Sequence, residues 1–291
     1  MASLLDSFKV KSQYILPKHL LSRLVGKLAS AKLGRLTEIL IKIFINHYKI
    51  DLKDAVITDI KQYKTFNEFF TRSLKKTARP IITDTKAIAN PVDGTISELG
   101  DIYKDAILQA KGHYYSLEAL IGADGKDYET FENGSFATIY LSPKDYHRVH
   151  MPLDGKLEKM VFVPGELFSV NPLTARSVDN LFAKNERVIC FFKNDKIGRF
   201  AVVMVGATIV ASIETVFAGV IAPSAGREKN IYHYEKENIV LKKGEELGRF
   251  LLGSTVICVF PKNKVEFAKG LKNGTPVKMG TRLGEIKTKA N

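Results

Sequence analysis

The spacing of apolar positions changes once along the chain, near Pro80. Before it, Leu20, Leu21, Leu24, Val25 and Leu28 recur at helical spacing from Lys18 to about Ser30. Leu36, Ile39, Leu40, Ile43 and Phe44 repeat the pattern. Arg23, Lys27, Arg35 and Lys42 fall between these positions, so both predicted helices are amphipathic with a basic polar face. Pro17 suits a first helical turn, and Gly34 separates the pair. A further helical segment is predicted around Thr65–Leu74. Such a pair either packs on a core or lies in a membrane interface, and the basic surplus favours the interface.

After Pro80, short β-branched runs alternate with Gly, Asn, Asp and Pro turns. Strands are predicted at Thr95–Leu99, Ala137–Leu141, Lys159–Val163, Val188–Phe192, Phe200–Val205, Thr208–Val216 and Val256–Phe260, with one helix near Ser116–Ile121. A shared G-x-x-L-G turn at 244–248 and 280–284 points to a barrel- or sandwich-like part in the last fifty residues. The fold class predicted is α+β. Amphipathic N-terminal helices form a membrane-associating region, 1–75, ahead of a β-rich catalytic domain, 76–291.

The chain has 291 residues, 45% of them hydrophobic, which is enough for a sizeable core. Its net charge of +13 calls for a polyanionic partner. Residues 1–50 carry nine Lys/Arg against Asp6 and Glu38, interspersed with Leu and Ile. They lack the aromatic platforms and motif spacings of nucleic-acid modules, so the partner predicted is an anionic membrane surface and not nucleic acid. The longest uncharged stretch, Phe200 to Ile213, is short for a bilayer span and contains Gly206. No signal peptide is evident, since Lys9, Lys11 and Lys18 interrupt the early apolar residues. Cys190 and Cys258 stand singly in apolar runs, as buried hydrophobes in a reducing compartment would.

Two segments carry candidate chemistry. Leu252-Gly253-Ser254-Thr255 precedes a predicted strand. Alone it is a turn, but a Ser hydroxyl can attack the carbonyl just before it, and Gly on the acyl side permits the strained geometry. Ester formation and β-elimination would then leave a dehydroalanine, which hydrolyses to a pyruvoyl group with loss of ammonia. Such chemistry needs a base and an oxyanion donor. The second segment, Ser142 to Pro152, holds Asp145, His147 and His150, and His is the side chain best matched to proton transfer near neutral pH. Asp93, in an Asp-Gly turn, is an acid that could orient it. His147 and His150 lack further ligands at zinc spacing, so no metal is predicted. Ser254, His150 and Asp93 also suit a serine hydrolase, although the nucleophile-elbow pattern is absent. A non-catalytic membrane-docking sandwich stays open as well.

The set Thr65–Arg72, Pro91-Val92-Asp93-Gly94, Asp145–Pro152 and Lys243–Thr255 resembles bacterial phosphatidylserine decarboxylases. So do Phe168–Asn171, Asn185–Val188 and Gly206–Val210, and the likeness runs from Phe8 to the end of the chain. It implies self-cleavage between Gly253 and Ser254 into a large subunit, 1–253, and a small one, 254–291. Ser254 would become a covalent pyruvoyl cofactor and form the Schiff base with substrate. Asp93 and His150 would complete the maturation triad, with His147 a candidate proton donor and Asp145 a further site residue. The product would be phosphatidylethanolamine with CO2, and Arg148, Arg187 or Lys144 are candidates to hold the lipid phosphodiester. The expected partners are phosphatidylserine, the anionic membrane surface, the two cleaved subunits and a homodimer of that cleaved pair. The expected place is peripheral, on the cytoplasmic side of the cell membrane. A pyruvoyl decarboxylase for a soluble amino acid is the alternative within the same chemistry, and the basic amphipathic start argues against it.

Overall fold

The computed structural model describes residues 4–122, 126–208, 212–222, 228–251 and 254–287. Three helices open the chain: α1 (Leu4–Ile15), α2 (Lys18–Ser30) and α3 (Arg35–Tyr48). The second and third agree with the predicted spacing. The first was not predicted, because its apolar positions are broken by Asp6, Lys9, Lys11 and Gln13. A short helix, α4 (Phe66–Phe70), occupies part of the segment predicted around Thr65–Leu74. Thr65 caps it by accepting the Glu68 N–H at 3.1 Å, and Glu68 Oε2 accepts from the Lys64 N–H at 2.6 Å.

The strands that position the site are β1 (Gly94–Asp101), β2 (Ser135–Leu141), β3 (Arg148–His150), β4 (Gly155–Val163), β5 (Arg187–Asn194), β6 (Gly198–Val205), β7 (Ile213–Thr215), β8 (Glu246–Phe250) and β9 (Ser254–Phe260). In the central antiparallel sheet the order β4-β5-β6-β9-β2-β1 is flanked by Asn230–His233 on one side and Pro276–Val277 on the other. The path has two ends, so no barrel closes among the described residues. A smaller sheet runs Gly219–Ala222, β7, β8, β3. Of the predicted strand Thr208–Val216, residues 209–211 lie outside the described residues and Ile213–Thr215 is strand.

The central sheet is buried on both faces, which is why β5 reads Val-Ile-Cys-Phe-Phe without a polar break. Val188, Cys190 and Phe192 join Phe200, Phe250 and Val149 in one cluster, towards the small sheets. Ile189 and Phe191 join Leu117, Leu120 and Phe182 in another, towards the short helices. Both cysteines are free and fully buried, and burial pushes their thiols up, that of Cys258 to about 12.

The two G-x-x-L-G turns have a structural counterpart. Gly244 and Gly280 both have positive φ, +86° and +85°. Both lie against Ile81, whose atoms a Cβ at either position would meet at 2.7–2.9 Å. The two turns thus close on one side chain, and each leads into a strand.

The helical layer is built the other way round. On α2 and α3 the buried residues are Lys18, Ser22, Ala29, Thr37 and Ile41, while Leu20 and Leu24 are each 58% exposed and Ile43 is 60% exposed. α3 seats Ile41 and Phe44 on Phe66 and Phe69, while α1 and α2 are held from beneath by polar contacts. Gln13 accepts the Ser169 N–H at 2.8 Å and donates to Thr174 Oγ1 at 3.3 Å. Lys18 pairs with Glu166 at 2.7 Å and lies 3.6 Å from the Phe168 ring centroid. No helix among the described residues is long and apolar enough to cross a membrane.

Candidate active site

Three strand ends meet at one end of the central sheet. β9 begins at Ser254, opposite Leu141 at the end of β2, and Thr255 pairs with Tyr140 and with Val205 of β6. On the other side of β2, Thr95 of β1 pairs with Tyr140. A Cβ on Gly94 would come 2.4 Å from the Tyr140 carbonyl oxygen, so only glycine permits this approach, and it sets Asp93 at the same sheet end. The loop 142–147 leaves β2 between them. Gly253 lies outside the described residues.

Asp145 closes that loop: its Oδ2 accepts the Ser142 N–H at 2.8 Å and the Ser142 hydroxyl at 2.7 Å. His147 is fully buried and stacks on Phe70 with ring centroids 4.0 Å apart. Its Nε2 donates to the Ser142 carbonyl at 3.1 Å, and its Nδ1 is buried without a partner. Burial, aided by the Arg72 charge, pulls its pKa down to about 3. His147 is therefore a neutral imidazole with a bare acceptor, and an imidazolium formed there would be a strong acid.

His150 is held in the opposite tautomer. Nδ1 donates to the Gly244 carbonyl at 2.8 Å, so Nε2 carries the lone pair, and it accepts the Tyr146 hydroxyl at 3.0 Å. Burial lowers its pKa below the ordinary histidine range.

Asp93 and His150 come close without a direct hydrogen bond. The His150 N–H donates to Pro91 O at 2.8 Å, and the negative charge of Asp93 acts weakly on the imidazole. The Asp93 carboxylate itself is gripped by Arg79, whose Nε reaches both oxygens at 2.9 and 3.0 Å and whose Nη2 reaches Oδ2 at 2.5 Å. The Met279 N–H adds a bond to Oδ1 at 2.9 Å. Arg79 Nη1 continues to Asp54 at 2.9 Å, and the bond to Asp93 raises the Arg79 pKa further.

The three candidates for the lipid phosphodiester fare differently. Arg187 is 2% exposed and donates to the carbonyls of Leu120, Ala183, Asn185 and Ala119, which staple short helix ends, so it is spent on the fold. Arg148 is committed to Thr71 O, Ser73 Oγ and Glu246. Lys144 is exposed.

With this geometry in view, comparison with known proteins is specific. A profile of the family "Phosphatidylserine decarboxylase" matches residues 66–285, and one described as "PSD" matches residues 8–49. A "Phosphatidylserine decarboxylase proenzyme" of Pseudoalteromonas translucida (strain TAC 125) is 54% identical over 285 residues, which are 97% of this chain and 99% of that protein. The chain belongs to the phosphatidylserine decarboxylase family. Proteins of the same description from Pseudoalteromonas atlantica (strain T6c / ATCC BAA-1087) and Shewanella sp. (strain ANA-3) are 56% and 53% identical. The first alignment covers 97% of both chains and the second 99% of both.

Arg79 and Tyr146 are the site neighbours that sequence reasoning passed over. Tyr146 lies within the Asp145–Pro152 motif, and its place between Asp145 and His147 is the signal that points to it. Arg79 lies in no motif near Asp93, and only the fold brings it there.

Proposed function

We propose that this chain cuts itself between Gly253 and Ser254 and then decarboxylates phosphatidylserine at the surface of an anionic membrane. Family membership over nearly the full chain supports the substrate and the reaction class. The observation that supports the site assignment is the meeting of Asp93, the 142–150 segment and Ser254 at one end of the central sheet.

In maturation, His150 Nε2 is the base. Tyr146 must turn aside to free the lone pair it now occupies. The Ser254 hydroxyl gives its proton to His150 and attacks the Gly253 carbonyl, and the amide becomes an ester. Elimination breaks the ester Cβ–O bond, frees Gly253 as a carboxylate, and leaves a dehydroalanine at 254. Hydrolysis then yields the pyruvoyl group and ammonia. Asp93, fixed by Arg79 and the Met279 N–H, supplies negative charge near His150.

The start of β9 suits such a group. It is paired on both sides, and His147 Nδ1 and Thr255 Oγ1 lie in adjoining segments, buried without partners. The pyruvoyl carbonyl supplies an electron sink for the C–C bond that breaks as CO2 leaves. His147 takes at its bare Nδ1 the proton that the substrate ammonium gives up, and returns it to the substrate carbon. The dry pocket around it makes that transfer favourable.

The outward apolar residues of α1–α3 and their basic neighbours form the membrane-facing surface. An apolar groove of about 370 Å³ runs between α2, α3 and α4, lined by Val25, Leu28, Ile43, Phe44 and Phe66. It opens on the same face as Leu28 and Ile43, which are about half exposed. A diacyl lipid leaves a bilayer at high cost, about 0.8 kcal/mol per CH₂, so the enzyme meets its substrate there.

Ser254→Ala tests the reading. It should abolish both chain cleavage and CO2 release from labelled phosphatidylserine, and His150→Ala should leave the precursor uncut. Ordinary CO2 release by Ser254→Ala would end the pyruvoyl assignment.

A further inference from the structure

A second cavity, of about 410 Å³, lies between segment 56–73 and the β8–β3 strand pair. Arg249 of β8 stands opposite Arg148 of β3 in register. Like charges so placed repel unless an anion lies between them. Glu246 takes part of that role, 2.8 Å from Arg148 Nη1 and 3.0 Å from Arg249 Nη2. Its two oxygens are shared between two guanidinium groups. Arg249 Nε makes no hydrogen bond, and Glu214 is 3.7 Å from it.

A third guanidinium comes from the opposite wall. Arg72 is 6% exposed, and among the described residues it forms no ion pair. Its Nη2 donates to Lys144 O at 3.1 Å, while Nη1 is buried without a partner. Burial lowers its pKa, with Tyr63, Asp93 and Asp145 opposing in that order through their charge. A buried guanidinium without its own carboxylate is unfavourable, and an incoming anion removes that cost. Lys64 stands exposed at the rim, with Glu68 as the acidic lining residue.

The cavity also adjoins the reaction centre. Arg72 is bonded to the 142–147 loop, and the residue after Arg249, Phe250, donates its N–H to His147 O at 3.0 Å. In phosphatidylserine the phosphate is only a few bonds from the reacting amine. The volume lies within the usual range for small-ligand sites, and arginine forks suit phosphate oxygens.

We propose that this cavity is an anion site for a phosphate ester, formed by Arg72, Arg249 and Lys64, and that it takes the phosphodiester of the lipid substrate. The choice of lipid rests on the function proposed above; the anion site does not.

The test is calorimetric titration of the purified full chain with inorganic phosphate and with glycerophosphoserine, neither of which needs cleavage or catalysis. Phosphate should bind in the millimolar range, and glycerophosphoserine should displace it. Arg249→Met should weaken both about tenfold, which is about 1.4 kcal/mol. Lys64→Met, at an exposed position that folding tolerates, should weaken both less. Phosphate that glycerophosphoserine fails to displace would overturn the lipid assignment. Absence of phosphate binding up to tens of millimolar, or binding unchanged in both variants, would overturn the site.

Discussion

The helical layer and the central sheet use apolar residues in opposite senses. In the sheet, Phe192, Phe200 and Phe260 stack inside a dry core. On α2 and α3, Leu20, Leu24, Leu36, Ile39 and Ile43 face outward while Lys18, Ser22 and Thr37 are buried. A periodicity of 3.6 is identical in the two cases, since it reports a face and not the direction in which the face points. The direction comes from what lies beneath. Gln13 and Lys18 meet amide N–H, hydroxyl and carboxylate partners on segment 166–174, so the polar side of α1 and α2 is the one that fits the protein there, while α3 seats Ile41 in a small apolar cluster with Tyr63 and Phe69.

Substitutions on the two sides separate stability from surface binding. The largest effect on folding is expected in the sheet. Phe200→Ala should destabilise the protein by about 3–5 kcal/mol in denaturant unfolding. Leu24→Ser should change stability by no more than about 0.5 kcal/mol. Equal losses would mean that α2 packs its apolar face on a core. Replacing Leu20, Leu24 and Ile43 together by Ser should lower partition onto phosphatidylserine-containing vesicles about a hundredfold, at roughly 1 kcal/mol per side chain. Flotation would read this directly, and undiminished binding would remove the helices from the membrane role.

A pH-dependent effect lies where the two regions meet. Glu186 is 5% exposed, and one of its oxygens is buried without a partner. Burial raises its pKa to about 7, with Arg23 of α2 opposing. The folded protein therefore holds this proton more tightly than the unfolded chain. Stability from that source is complete below the unfolded value, near 4.5, and is lost as pH rises through about 7. Glu186→Gln should raise stability near pH 8.5 by on the order of 1–3 kcal/mol and leave it unchanged near pH 4. Thermal melts at the two values check it, and an equal gain at both would place the effect elsewhere.

The amphipathic period of α2 and α3, the punctuated strands and the family motifs were all legible along the chain. They depend on local spacing, which a sequence displays. Four features were not legible. Helix α1 escaped because its charged interruptions weaken the apolar period. The clamp of Arg79 on Asp93 and the commitment of Arg187 to four carbonyls are contacts between distant segments. The motif holding Arg187 was visible, but the carbonyls it caps were not. The turn at Gly244 and its counterpart at Gly280 were visible as a repeat, and Ile81, the residue that both enclose, was not.

The central claim is that the chain becomes an enzyme by cutting itself at one bond, and an intact mass of the purified protein tests it most directly. The account predicts two masses divided at Gly253 and Ser254, with the 38-residue piece, 254–291, lighter than a serine start by the mass of ammonia. A single full-length mass from folded protein that decarboxylates phosphatidylserine would contradict it.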